Sequence, residues 1–241
     1  MRKAVVIGAS SGIGKEVAKQ LLADGWQLGI AARRVDKLEE IKALAPDRVV
    51  VQSIDVTSDE APQALEALIE KLAGMDLFFY ASGVGSQNME LMPDIELNTV
   101  ATNGMGFTRM IGAAYRYMAE HGGGHIAAIS SIAGTKGLGA APSYSATKAM
   151  QNTYIQALEQ QARMRGLNIT FTDLRPGFVA TPLLGDTPKY PMLLKPEKVA
   201  REMVKAINHR RHVWVIDWRW RIATALWRRI PRCLWRRLKI K

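Results

Sequence analysis

Cysteine, histidine and long apolar runs are scarce in this 241-residue chain. The single cysteine, Cys233, excludes an internal disulfide, which suits a reducing compartment such as the cytoplasm. No stretch reaches the roughly 20 apolar residues that a membrane-spanning helix needs. After Met1-Arg2-Lys3 the apolar run covers only residues 4–7 before glycine follows, too short for a secretory leader. Of the four histidines, His209 and His212 stand three apart with no third ligand nearby, and no metal site is expected.

Acids are absent from residues 218–241, which carry nine basic residues: Arg219, Arg221, Arg228, Arg229, Arg232, Arg236, Arg237, Lys239 and Lys241. The formal charge is +11, so removing those nine leaves +2 for residues 1–217. The basic pI therefore belongs to the end of the chain and says little about the partners of the body.

What is present is a regular alternation. Short apolar runs at residues 3–8, which is rich in Val and Ile, 26–32, 48–54, 76–81, 125–130, 168–174 and 212–217 read as strands. Segments with helical spacing separate them, at 12–23, 35–44, 62–72, a long one ending near Glu120, 143–165 and 197–208. Apolar strands alternating with helices predict an α/β fold, a doubly wound parallel sheet of seven strands with helices on both faces. One domain over residues 1–217 is expected, with 218–241 as a basic amphipathic helical tail.

The first strand runs into Gly8-Ala9-Ser10-Ser11-Gly12-Ile13-Gly14 and then directly into a helix. Glycines let the backbone turn sharply and approach a pyrophosphate, whose charge the helix N-terminus favours. A glycine-rich turn without a ligand is the plainer alternative. The second strand ends Ala31-Ala32-Arg33-Arg34. An NAD-binding chain usually has an acid there for the ribose 2′-hydroxyl. Two guanidiniums instead suit a 2′-phosphate, against the alternative of a solvated pair.

Ser131 follows the fifth strand, at the carboxyl end where open α/β sheets bind ligands. Tyr144 and Lys148 stand at i and i+4 of one helix and share a face. Singly, Ser131 reads as a helix cap, Tyr144 as packing and Lys148 as a solvated charge. Jointly, and with the glycine loop, they read as one site.

The pattern from Ser131 to Lys148, with the spacing Gly8, Gly12, Gly14, closely resembles the Ser…Tyr-x-x-x-Lys signature and coenzyme loop of the short-chain dehydrogenase/reductase family. The resemblance covers most of residues 1–182. It implies a Rossmann fold and an NAD(P)-dependent oxidoreductase that interconverts a carbonyl and an alcohol. Tyr144 would be general acid and base, and Ser131 would donate to the substrate oxygen. Lys148 would hold the nicotinamide ribose, and Asn103 would position a water linking Lys148 to solvent. Asn98 is a rival for that last role but lacks a glycine three residues on. The Lys148 ammonium and the positive nicotinamide ring are expected to lower the tyrosine pKa.

The resemblance further implies cofactor contacts from Gly8, Ser10, Ser11, Gly12, Ile13, Gly14, Arg33, Arg34, Asp55, Val56, Ser82 and Gly83. Tyr144, Lys148, Pro176, Gly177, Val179 and Thr181 would complete the set, with NADPH preferred to NADH. A turn residue is the plainer reading of Asp55. Where the family usually has Asn-Asn-Ala-Gly, this chain has Tyr80-Ala81-Ser82-Gly83. That motif mainly braces the sheet in the family, so the change bears on the site's floor. Pairing into a homodimer or homotetramer through the helices at 103–120 and 143–165 is implied as well.

Residues 183–195, with four leucines beside Tyr190 and Met192, match the family's substrate lid and suggest a hydrophobic substrate; ordinary loop packing is equally compatible. In the tail, Ile222, Leu226 and Ile230 form a helical stripe with Trp220, Ala223 and Trp227 beside it. Trp and Arg at this density predict an anchor on an anionic membrane surface. Packing on the body or a partner subunit stays open, and nucleic acid is the least expected partner. The other reading of the whole chain is a catalytically silent NADP-binding regulator or scaffold, which has no need of all four of Asn103, Ser131, Tyr144 and Lys148.

Overall fold

The computed structural model describes residues 1–184 and 190–238. Seven parallel strands form one sheet: β1 (Lys3–Ile7), β2 (Gln27–Ala32), β3 (Val49–Ser53), β4 (Leu77–Tyr80), β5 (Gly124–Ile129), β6 (Ile169–Arg175) and β7 (Val213–Val215). Their order is β3-β2-β1-β4-β5-β6-β7. β1 pairs with β2 on one side and β4 on the other. The winding direction reverses between them, which opens a crevice at the carboxyl ends of β1 and β4.

Both sheet faces are covered because successive buried apolar residues of the strands point to opposite faces. Ala4 and Val6 join a core with helices α1 (Gly12–Ala23), α2 (Val35–Lys42) and α7 (Pro196–Asn208). Val5 and Ile7 join the opposite core with α3 (Ala61–Leu72), α5 (Phe107–Glu120) and α6 (Pro142–Met164). The side-chain period of two along each strand feeds the two cores alternately. In place of the missing asparagine of the fourth-strand motif, Tyr80 lies fully buried, edge-on to Phe107 with ring centroids 5.2 Å apart.

Two expectations change in detail. The long helical segment before Glu120 is α4 (Pro93–Val100), a π-helical stretch Ala101–Gly106, and α5. At Gly106 a Cβ would come within 2.9 Å of the Val56 carbonyl oxygen, so the glycine lets the helix press on the loop after β3. The seventh strand ends at Val215 rather than 217. Asp217 leaves the sheet with φ 70° and caps α8 (Trp218–Arg229), accepting from the Arg219 N–H at 3.0 Å. Pro231 then breaks the helix, as expected, before the short α9 (Arg232–Trp235). The predicted stripe of the tail is divided between two environments. Trp220 is buried and Ala223 and Trp227 are half-buried on the body, whereas Ile222 and Leu226 face solvent. Their helical angles differ by enough that one body contact takes only half the arc. Lys239 and Lys241 lie outside the described residues.

Candidate functional site

The crevice is a single cavity of about 1040 Å³ at the carboxyl ends of the strands. It is lined by residues from the glycine loop, the ends of β2 to β6, the residues after β6 and the inner face of α8. At Gly14 a Cβ would sit 2.2 Å from the Gly8 carbonyl oxygen, and at Gly8 (φ +87°) it would sit 2.6 Å from the Ser82 nitrogen. Any side chain at either position would fill the loop. Such a cradle at the start of α1 fits a pyrophosphate, and Ser10, Ser11, Gly12 and Ile13 line it too.

Arg33 and Arg34 both line this half of the cavity. Arg34 donates to the hydroxyls of Ser10 (3.1 Å) and Ser11 (2.9 Å), which ties the end of β2 to the glycine loop. Asp55 forms a turn, accepting from the Thr57 N–H (3.0 Å) and hydroxyl (2.7 Å). Those bonds, with smaller help from the Arg33 charge, hold its carboxyl below the usual range. The plainer turn reading of Asp55 therefore describes its bonding, while its position lines the cavity beside Val56.

The four residues singled out after β4 and β5 come together. Ser131 caps a short 3₁₀ turn, its hydroxyl accepting from the Ala133 N–H at 3.0 Å. Tyr144 and Lys148 face the cavity from α6, the Lys148 ammonium 5.7 Å from the Tyr144 ring centre. Asn103 is fully buried in the π-helical stretch. Its side chain clasps the loop after β4, accepting from the Val84 N–H (2.9 Å) and donating to the Val84 carbonyl (2.7 Å).

Burial sets the electrostatics of the site. Tyr144 is half-buried at the cavity wall, and burial pushes the pKa of its phenol up, with the Ser131 hydroxyl pulling it back. Burial acts on Lys148 as well and pushes it down to about 8, opposed by the Asp173 carboxylate. Asp173 is itself buried and held by Arg175, which donates from Nε (2.8 Å) and Nη2 (2.6 Å), and by the Ser130 hydroxyl.

Three features of the site were not singled out from sequence. Gln151, fully buried, accepts from Lys148 Nζ at 3.0 Å and donates to the Asn103 carbonyl at 2.8 Å. Its i+3 spacing from Lys148 was the available signal. Gly85 underlies Tyr144 so closely that a Cβ would meet the ring at 2.6 Å. Trp220 covers Gly177, where a Cβ would sit 2.2 Å from the indole nitrogen. Nothing in the sequence pairs those last two contacts. Pro176, Gly177, Val179 and Thr181 also line the cavity. The methyl of Thr181 would lie 3.2 Å from a Cβ at Gly12. Of the lid segment, residues 185–189 lie outside the described residues, while Leu183, Tyr190 and Met192 line the cavity.

The sequence pattern of the short chain dehydrogenases matches residues 2–190. The chain belongs to the short-chain dehydrogenase/reductase family. It is an NAD(P)-dependent oxidoreductase with the Rossmann fold. Among its relatives is an uncharacterized oxidoreductase of Staphylococcus aureus, 31% identical over 87% of this chain and 92% of its own length. Another, from Myxococcus xanthus, is 32% identical over 79% of this chain and 77% of its own. The glycine betaine reductase of Emericella nidulans is 34% identical over 87% of this chain, but this chain spans only 18% of that protein's length. In fold, the short-chain dehydrogenase resembles an alcohol dehydrogenase of Thermococcus sibiricus crystallised with 5-hydroxy-NADP. The TM-score is 0.78 at 24% identity, over 90% of this chain and 96% of that one.

Proposed function

We propose that this short-chain dehydrogenase is an NADPH-preferring enzyme that interconverts a carbonyl and an alcohol on an apolar substrate, with Tyr144 as general acid and base. The observation that carries this reading is the convergence of Ser131, Tyr144, Lys148 and the Asn103 loop on the cavity whose other half is the glycine loop. The loop residues and Arg33, Arg34, Asp55, Ser82, Gly83, Pro176, Val179 and Thr181 would hold the cofactor. When bound, the nicotinamide supplies the hydride.

The residues of the chain divide the remaining work. Ser131 donates to the substrate oxygen where negative charge develops. Tyr144 gives that oxygen a proton in reduction and takes it back in oxidation. Burial pushes its phenol up, which favours the protonated form that reduction requires. Lys148 supplies positive charge close to the phenol, and Asn103 and Gln151 fix the surroundings of that ammonium. The absence of an acid after β2, with Arg34 turned to the glycine loop, supports 2′-phosphate recognition.

Two associations belong to the same reading. Leu97, Val100, Met105 and Met150 are exposed along the α4–α6 side, near Gly104, where a Cβ would meet Val100 and Met150. This apolar side suits pairing with a second copy. Trp218, Ile222 and Leu226 form an exposed apolar stripe on α8 amid arginines without acids, which suits an anionic membrane surface. The deciding test is Tyr144→Phe. Carbonyl-dependent NADPH oxidation should fall roughly 10²–10⁴-fold, while NADPH still binds in a fluorescence titration. Turnover at the parent rate would remove Tyr144 from its role.

A further inference from the structure

We propose that the inner face of α8 is the substrate wall of this enzyme, that Trp227 grips the far end of the substrate, and that the substrate is therefore a carbonyl or alcohol on an elongated apolar chain. The inference rests on the reading of the cavity as a carbonyl-reducing site. It concerns a helix outside residues 2–190, where the family pattern matches.

The wall begins at Trp220, which is 2% exposed and belongs to the same core as β1 and α7. Its indole N–H is buried without a hydrogen-bond partner. Shape seats it, against the bare backbone of Gly177 and edge-on to Phe178, with ring centroids 5.6 Å apart. From there an aromatic row continues outward: Trp220 to Trp227 at 6.1 Å and Trp227 to Trp235 at 6.0 Å. Seven helical residues set their backbone positions about 10 Å apart along the axis, and the two indoles lean together to 6.1 Å to form one continuous apolar surface.

The outer end of the row is fastened down. The Trp235 indole donates to the Gly137 carbonyl at 2.7 Å, and Lys136 Nζ donates to the Ile230 carbonyl at 3.0 Å. Gly137 and Lys136 follow the turn that Ser131 caps. The tail thus closes over the same segment that carries Ser131, and its inner face looks into the cavity.

The chemistry of the lining separates two halves. Among the described residues, the charged ones are Arg33, Arg34, Asp55 and Lys148, all in the set that serves cofactor or proton transfer. The half under α8 presents Leu138, Phe178, Leu183, Met192, Trp220 and Trp227. A short carbonyl touching Tyr144 has no use for a wall that continues outward to Trp227. An extended apolar chain fills it, and a charged tail finds no counter-charge there.

The test compares 1-decanol with 1-propanol as ligands and decanal with propanal as substrates, on the full chain with its nicotinamide cofactor. Calorimetry should show the parent binding decanol more tightly than propanol. Trp227→Ala should weaken decanol binding and raise the KM for decanal by about tenfold, the scale of a lost hydrophobic pocket contact. Propanal kinetics and NADPH affinity should move within about twofold, as for a residue out of contact. Trp227→Phe should restore most of the loss. Ala223→Trp, which fills the wall instead of emptying it, should exclude decanol and spare propanol, so the proposal does not hang on one variant. Equal effects on both chain lengths, or no preference of the parent for decanol, would overturn the wall. Chain-length-dependent binding without turnover of either aldehyde would keep the wall and sink the carbonyl-reductase reading.

Discussion

The amide oxygen of Gln151 accepts from the Lys148 ammonium at 3.0 Å, one helical turn further along α6. The other end of the same amide donates to the carbonyl of Asn103, which lies in the π-helical stretch before α5. A neutral side chain thus fixes a lysine whose pKa burial has already pushed down to about 8. Removing an acceptor from an ammonium disfavours its charged form. Gln151→Met should therefore shift the alkaline limb of kcat/KM for reduction to lower pH, by about one unit if the lost charge-assisted bond is worth about 1.5 kcal/mol. Gln151→Glu should shift it the other way. A purely structural role would lower the rate without moving the limb in opposite directions.

Cofactor choice should depend on the pair after β2. Arg33→Asp puts a like charge beside a 2′-phosphate, so the ratio of NADPH to NADH affinity should fall by at least about tenfold. Arg34→Ala should cost affinity for both cofactors, because Arg34 also braces Ser10 and Ser11. Binding titrations with both nucleotides separate the two roles. A parent that prefers NADH would refute the assignment.

Membrane attachment should depend on the outer face of α8 alone. Removing the tail at Asp217 is a poor test, because it empties the Trp220 site in the core. Loss of such a buried indole costs about 3–5 kcal/mol. Ile222→Glu with Leu226→Glu leaves the core intact and places acids on the exposed stripe. The parent should co-sediment with anionic vesicles at low salt and be released as salt rises. The double variant should stay in the supernatant while keeping its melting temperature. Equal sedimentation of parent and variant would exclude the stripe.

Acid stability should carry the signature of His125. Its Nε2 pairs with the Thr172 hydroxyl at 2.8 Å on the strand beside it. Burial, with repulsion from Arg210 and His212, pushes its pKa from 6.5 down to about 4. The unfolded chain takes up this proton near 6.5 and the folded chain only near 4. Between those values the unfolded state binds more protons, so stability falls as the pH drops through the window. Urea midpoints measured across it should show a steeper decline for the parent than for His125→Asn. Parallel curves would mean that another group controls the acid limb.

Most of the architecture was legible in the chain itself. The period-2 and period-3.6 patterns fixed seven strands and their helices because burial on both sheet faces demands continuous apolar strands. The Gly8, Gly12, Gly14 spacing and the i, i+4 pair of Tyr144 and Lys148 were readable because local geometry alone sets them. The basic character of the tail and its break at Pro231 were equally local.

Tertiary structure decided what depends on residues far apart in sequence. Burial pushes the phenol of Tyr144 up and the Ser131 hydroxyl pulls it back, and only the fold brings those groups together. Arg34 rather than Arg33 reaches the glycine loop. Gln151 finds Asn103 only because α6 packs on the π-helical stretch 48 residues earlier. The amphipathic pattern of residues 218–230 could not say which apolar side meets protein and which meets solvent. That choice was made by Gly177, whose missing side chain leaves room for Trp220 and so turns the tail into a wall of the site.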